Sequence, residues 1–361
     1  MKNIGIIGSG NWGSAIAKLL GENVQKGTAY SKTVNMWVYE EQVNGRNLSE
    51  IINTEHENVK YLPGTKLPEN VKAVTSLEDV TKASDVLVFV IPHEFLEKTL
   101  KTMQKSVKKG AVAVSLIKGG SFDNGKFVLL SQMIEKALSA KVCTLMGANI
   151  ASDVAKESLS ECTLEYKEKA VGEDLARLFS SKYFRVAAVE GRGQAEACGF
   201  LKNVVALGCG IVSGRGSGPN TVAAVIRNGF LEIVKFCDIF VEKTSTDKLF
   251  SKIFLESCGV ADIIVSCTSG RNFKFSHQAA TQNKTIPEIE KTEMNGQKLQ
   301  GYSTATSLSV FLEETKKEKD FPLLYAISKT AQQNLSSKEI LDALSCVCNE
   351  KGCQKGCQNN S

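Results

Sequence analysis

A short apolar run, Ile4 to Ile7, meets Gly8-Ser9-Gly10-Asn11-Trp12-Gly13 and opens directly onto a helical pattern from Ser14 to Leu20. Each glycine in such a loop answers a different steric demand. The first permits a tight turn out of the strand, and the second lets backbone approach a pyrophosphate. The third lets helix pack on strand, with the N-H groups of the helix start facing the anion. Strand, glycine loop and helix in this order predict a dinucleotide-binding unit. The alternative is a glycine turn in an α/β domain that binds nothing there.

The first half of the chain continues the pattern. Runs at Thr33 to Tyr39, Asp85 to Ile91, Ala111 to Leu116 and Val142 to Met146 alternate with helical segments, and most are apolar at nearly every position. Such strands are expected where helices cover both faces of a sheet. Right-handed crossovers then predict an α/β fold, a doubly wound, Rossmann-like parallel sheet over residues 1–190. After Gly191-Arg192-Gly193 the strand-like runs stop, and residues 191–349 are expected to form an all-α domain. Phe200 to Val212 is apolar nearly all round, which places that helix in a core or between subunits. Lys284 to Gly301 reads as polar loop, Ser303 to Lys316 and Phe321 to Asn334 as amphipathic helices, and 350–361 as a flexible tail. A chain of 361 residues suits two domains.

Composition narrows the partners. Lys and Arg total 44 against 39 Asp and Glu, and the excess is scattered, with no basic stripe interleaved with aromatics. That argues against nucleic acid and is compatible with a small anionic substrate. Most of the 11 cysteines stand singly in apolar segments, as reduced buried thiols do. Cys346, Cys348, Cys353 and Cys357 lack the paired spacing of most zinc sites, so no metal is expected. The opening residues lead into a glycine loop and not a cleavage site, and the final Asn359-Asn360-Ser361 is no peroxisomal address. No stretch reads as the roughly 20 apolar residues of a membrane span. A cytoplasmic protein without membrane attachment is expected.

Several residues carry candidate chemistry. The second run ends in Tyr39-Glu40-Glu41, and an acidic residue there accepts ribose hydroxyls and repels a 2′-phosphate. Glu40 therefore favours NAD over NADP, although it lies further from the glycine loop than the usual roughly 20 residues. Phe95 follows Val90-Ile91-Pro92-His93-Glu94 at the carboxyl edge of the sheet, to stack beside a cofactor or to fill the core. Lys118 falls on the same edge. His93, one of three histidines, has no carboxylate at a useful spacing and is not preferred as an acid or base. Lys202 interrupts an otherwise apolar helix, where an ammonium either snorkels to water or has a chemical task; Asn203 adds a donor and an acceptor beside it. Asp262 is a helix cap, a structural ion pair or a catalytic carboxylate. Arg271, after Ser269-Gly270, can grip a phosphate with two hydrogen bonds.

Taken together, the chain resembles the eukaryotic, cytosolic, NAD-dependent glycerol-3-phosphate dehydrogenase family from Lys2 to about Phe311. The blocks are the glycine loop, Met36-Trp37-Val38-Tyr39-Glu40-Glu41, His56 to Gly64, Gly147-Ala148-Asn149-Ile150-Ala151, Leu201 to Ala206, Gly270-Arg271-Asn272 and Asn295 to Gly301. The resemblance implies NAD as cofactor, dihydroxyacetone phosphate and sn-glycerol 3-phosphate as substrates, and a homodimer. It implies Lys202 as the catalytic lysine, with Lys118, Asn203, Asp262 and Ser266 around the reacting oxygens. It also implies Lys118, Arg271 and Asn272 as substrate ligands, and Tyr39, Phe95, Ala151, Arg271, Lys298 and Gln300 as cofactor contacts. Tyr39 stands where the family often has phenylalanine, and Ser266 where threonine is common. Pro219 and Val222 replace an aspartate and a lysine. Two other readings fit the layout: another phosphorylated-hydroxyacid dehydrogenase, such as the 6-phosphogluconate type, and a catalytically weak NAD-sensing regulatory protein.

Overall fold

Eight strands hydrogen-bond into one sheet in the computed structural model, which describes residues 1–242, 252–294, 297–333 and 335–346. They are β1 (Lys2–Ile7), β2 (Tyr30–Trp37), β3 (Val71–Val74), β4 (Val86–Phe89), β5 (Val112–Ser115), β6 (Lys141–Met146), β7 (Ser160–Tyr166) and β8 (Phe184–Glu190). Their spatial order is β8-β7-β6-β5-β4-β1-β2-β3. Neighbours run parallel except β6 and β7, which are antiparallel. The chain leaves β1 toward β2 on one side and reaches β4 on the other, so the order reverses beside β1. Ligands of open α/β sheets bind at the carboxyl edge of such a switch point.

The five anticipated runs are β1, β2, β4, β5 and β6. Every residue of β4 is buried, which explains its unbroken apolar sequence. The sequence reading missed β3, β7 and β8. The first, β3, carries an exposed position among its four residues, and β8 is an edge strand with two exposed positions, so neither shows the apolar signature of a doubly covered strand.

The described residues divide into two compact units. One holds 1–121, 128–197 and 252–259; the other holds 122–127, 198–242 and the described residues from 260 onward. This division differs from a single boundary near Gly191, and the side chains show why. Phe122 stacks on Phe311 with centroids 4.3 Å apart and joins Phe127, Phe200 and Phe236 in an aromatic cluster of the second unit. In the first unit, the Ser257 hydroxyl donates to the Glu161 carbonyl and the Cys258 N-H to Thr163 Oγ1.

Among the described residues no strand follows Glu190. Helix Gln194–Gly214 is long and apolar enough to cross a bilayer by length and composition, which corrects the sequence reading on that point. Its apolar window is 89% buried inside the protein. Segment 284–301 is not simply loop either. Helix Ile286–Glu293 starts on a Thr285–Glu288 capping box and buries Ile286, Ile289 and Glu290. Two apolar side chains suffice to seat so short a helix, and its polar remainder hid it. The helices expected after it are Gln300–Glu314 and Pro322–Gln332. Cys143, Cys162, Cys198, Cys209, Cys237, Cys258 and Cys267 are buried. The tail expectation, with Cys348, Cys353 and Cys357, lies outside the described residues.

Candidate active site

The glycine loop of the first unit has the geometry its sequence demands. Gly8 sits at φ +121°, and a Cβ there would come within 2.5 Å of the Val90 carbonyl oxygen. A Cβ on Gly13 would come within 2.3 Å of the Gly8 carbonyl oxygen, so helix and strand approach only through glycine. A Cβ on Gly10 would meet nothing within 4 Å. Helix Asn11–Gln25 follows, with no side-chain cap on its first N-H groups and no acidic residue in its first turn. Open backbone donors at a positive helix end, beside a glycine that leaves space free, fit a diphosphate.

The other cofactor candidates of this unit are placed as follows. Asn11 Nδ2 donates to the Tyr61 carbonyl at 2.7 Å, and the Trp12 ring lies against Phe184. Tyr39 is 72% exposed just beyond β2. The Glu40 carboxylate accepts from the N-H and hydroxyl of Ser49, in the first turn of helix Leu48–Glu55. Neighbouring Glu41 pairs with Lys60 and Tyr61, and the Lys60 ammonium holds its carboxyl below the ordinary range. Phe95 is 59% exposed on the short turn after β4, so it does not fill the core. Ala151 is buried at the start of helix Ala151–Ala155. Lys118 Nζ donates to the Gly147 carbonyl at 2.9 Å. His93 is half-buried with Nδ1 3.4 Å from the exposed Glu94 carboxylate.

Within the second unit, four helices carry the remaining candidates. Asp262 and Ser266 are four residues apart on helix Asp262–Thr268, and therefore share one face. Both meet Lys202 from helix Gln194–Gly214: Nζ lies 2.6 Å from Asp262 Oδ1 and 2.5 Å from Ser266 Oγ. Lys202 is 5% exposed and Asp262 2%, so the ammonium does not snorkel to water; it is a buried, paired charge. Asn203, one residue on, accepts at Oδ1 from Asn272 Nδ2, and Asn272 Oδ1 accepts from the Gly301 N-H, both at 3.0 Å. A Cβ on Gly301 would reach 2.6 Å from Asn272 Oδ1, so glycine alone closes this link. Arg271 opens helix Arg271–Gln282, exposed, with Nη2 on Gln297 Oε1 at 2.9 Å. Lys298 donates to the buried carboxylate of Glu290, which also accepts from the Leu299 N-H just before Gln300. Two supporting residues escaped the sequence reading, Asn58 beneath the glycine loop and Glu290 beneath Lys298. Both act through contacts that no local motif announces.

The fold, the glycine loop and a buried lysine-carboxylate pair on a helical unit define a nucleotide-dependent dehydrogenase. Residues 3–172 match the family model for the N-terminus of NAD-dependent glycerol-3-phosphate dehydrogenase, and residues 193–342 match that for its C-terminus. The cytoplasmic NAD(+) glycerol-3-phosphate dehydrogenase of Drosophila ezoana is 45% identical over 95% of this chain and 97% of its own length. The corresponding enzyme of Rattus norvegicus is 43% identical over the same two shares. The solved glycerol-3-phosphate dehydrogenase of Saccharomyces cerevisiae superposes with a TM-score of 0.87 at 39% identity, over 95% of this chain and 99% of that one. The chain belongs to the NAD-dependent glycerol-3-phosphate dehydrogenase family. It is an oxidoreductase that uses NAD and acts on a small molecule, and the 6-phosphogluconate-type reading falls away.

Proposed function

We propose that the chain interconverts dihydroxyacetone phosphate and sn-glycerol 3-phosphate, with Lys202 as its acid-base group. Bound NADH supplies the hydride that reduces the ketone carbon. As negative charge builds on the ketone oxygen, the Lys202 ammonium stabilises it and then donates a proton. In the oxidative direction the neutral amine takes the proton back. Asp262 and Ser266 fix Nζ on one line of approach, and Asn203 is held by Asn272. Lys118 completes the set around the reacting oxygen. Arg271 and Asn272 take the phosphate, the fork of the guanidinium matching two phosphate oxygens. The glycine loop, Tyr39, Glu40, Phe95, Ala151, Lys298 and Gln300 hold the cofactor. The reading also places the protein in the cytoplasm as a homodimer, in line with the family it resembles. A monomer by sedimentation velocity at micromolar concentration would remove the homodimer.

The observation that carries the proposal is the buried Lys202–Asp262–Ser266 cluster. Replacing Lys202 alone leaves a carboxylate buried without its partner, which costs about 3–5 kcal/mol and confuses chemistry with stability. The double variant Lys202→Met with Asp262→Asn removes both charges and keeps most of the volume. It is expected to fold and to bind NADH, while single-turnover reduction falls by roughly 10²- to 10⁴-fold. Near-normal hydride transfer in that folded variant would dismiss Lys202.

A further inference from the structure

We infer that Asn58 is a positioning residue for the cofactor, whose side-chain amide clamps the Ser9 carbonyl and thereby sets the direction of the Gly10 N-H. Asn58 lies 49 residues beyond the loop it serves and is wholly buried. Its Nδ2 donates to the Ser9 carbonyl oxygen at 2.8 Å and to Ser14 Oγ at 2.9 Å, and its Oδ1 accepts from the Tyr61 N-H at 3.2 Å. Both donors and the acceptor of the amide are therefore engaged. Ser14, also fully buried, donates its own hydroxyl toward the same Ser9 oxygen at 3.4 Å.

The consequence follows from peptide geometry. No peptide bond in the described chain is cis, so the Ser9 C=O and the Gly10 N-H point to opposite sides of one rigid plane. Drawing the carbonyl down onto Asn58 turns the N-H up, away from the protein interior. Gly10 is the loop position where a Cβ would find open space, the side from which a diphosphate approaches. Glycines on both sides of Ser9 leave this plane little intrinsic preference, since glycine takes many backbone angles at small cost. An external clamp must supply the preference, and a doubly donating amide supplies it without a charge. An aspartate of the same shape would set a carboxylate against the Ser9 carbonyl, acceptor against acceptor.

The test compares Asn58→Asp, Asn58→Ala and Ser14→Ala with the native enzyme, using NADH, ADP-ribose and adenosine as ligands in fluorescence and competition titrations. Losing the clamp is expected to raise the Kd of NADH and of ADP-ribose by about tenfold in the Asn58 variants. Ser14→Ala should give a smaller loss of the same pattern. Adenosine, which has no pyrophosphate, should bind unchanged, and the KM for NADH should rise while that for dihydroxyacetone phosphate holds. An Asn58 that merely supports the scaffold would weaken adenosine and ADP-ribose by the same factor, and that result overturns the inference. So does native affinity for ADP-ribose in folded Asn58→Asp or, if neither Asn58 variant folds, in Ser14→Ala.

Discussion

Arg271 and Lys202 show how differently two cations can be used in one unit. Lys202 is sealed in and paired, a point charge whose position is set by two partners. Arg271 is exposed at a helix start, held through Gln297 on one nitrogen, with a planar fork that an ammonium cannot imitate. Arg271→Lys is therefore expected to reduce kcat/KM for dihydroxyacetone phosphate by about tenfold or more, and to spare unphosphorylated dihydroxyacetone. Steady-state kinetics with the two ketones checks this. Equal losses on both would assign Arg271 to the cofactor or the fold. Lys202 was visible in the sequence because a charge inside an apolar helix is conspicuous. Asp262 stood out as a single carboxylate in an apolar stretch, but its pairing with Lys202 spans 60 residues and no local pattern announces it.

At the scale of elements, distant glutamates replace local caps. Helices Leu130–Leu138 and Pro322–Gln332 start at Leu129 and Phe321, neither of which has a side chain that can accept a hydrogen bond. The buried Glu196 carboxylate accepts from the N-H groups of Leu130 and Ser131, and buried Glu232 from those of Leu323 and Leu324. Glu165 serves Gly193 and Gln194 in the same way at the start of helix Gln194–Gly214. Burial pushes the Glu232 carboxyl up to about 7, against the pull of the two N-H groups and of Lys235. A carboxyl whose pKa is raised by folding contributes stability that is complete below its unfolded value near 4.3 and is lost as pH rises through about 7. Glu196 acts in the same direction, also from about 7. Glu232→Gln keeps one acceptor and removes the titration, so its Tm should fall less than that of the native protein between pH 5 and pH 8. Glu232→Ala leaves the helix uncapped and should cost about 1–2 kcal/mol at either pH. Thermal melts at the two pH values check both, and an unchanged slope in the glutamine variant would show that Glu232 does not titrate there. None of these caps resembles a sequence motif, because donor and acceptor lie 28 to 92 residues apart.

At the scale of the whole molecule, the second unit is completed by six residues from the first half of the chain. Phe127 is 8% exposed among Phe122, Phe200 and Phe236. Phe127→Ala should destabilise by about 3–5 kcal/mol, the range for losing a buried phenylalanine. Denaturant unfolding followed by far-ultraviolet circular dichroism would measure it, and a loss below about 1 kcal/mol would show that the cluster contributes little. What the sequence determined by itself is what neighbouring residues decide. The glycine loop, the apolar strands and the long apolar helix follow from steric and solvation demands met within a few residues of each site, and each family block is likewise a short stretch of neighbouring residues. Tertiary structure decided what depends on partners far along the chain: the antiparallel β7, the carboxylates that cap other helices, the Asn58 clamp, the Lys202–Asp262 pair and the exchange of short segments between the units. A side chain's type is fixed by sequence, but burial and hydrogen bonding set its task, and both come from the residues that folding brings against it.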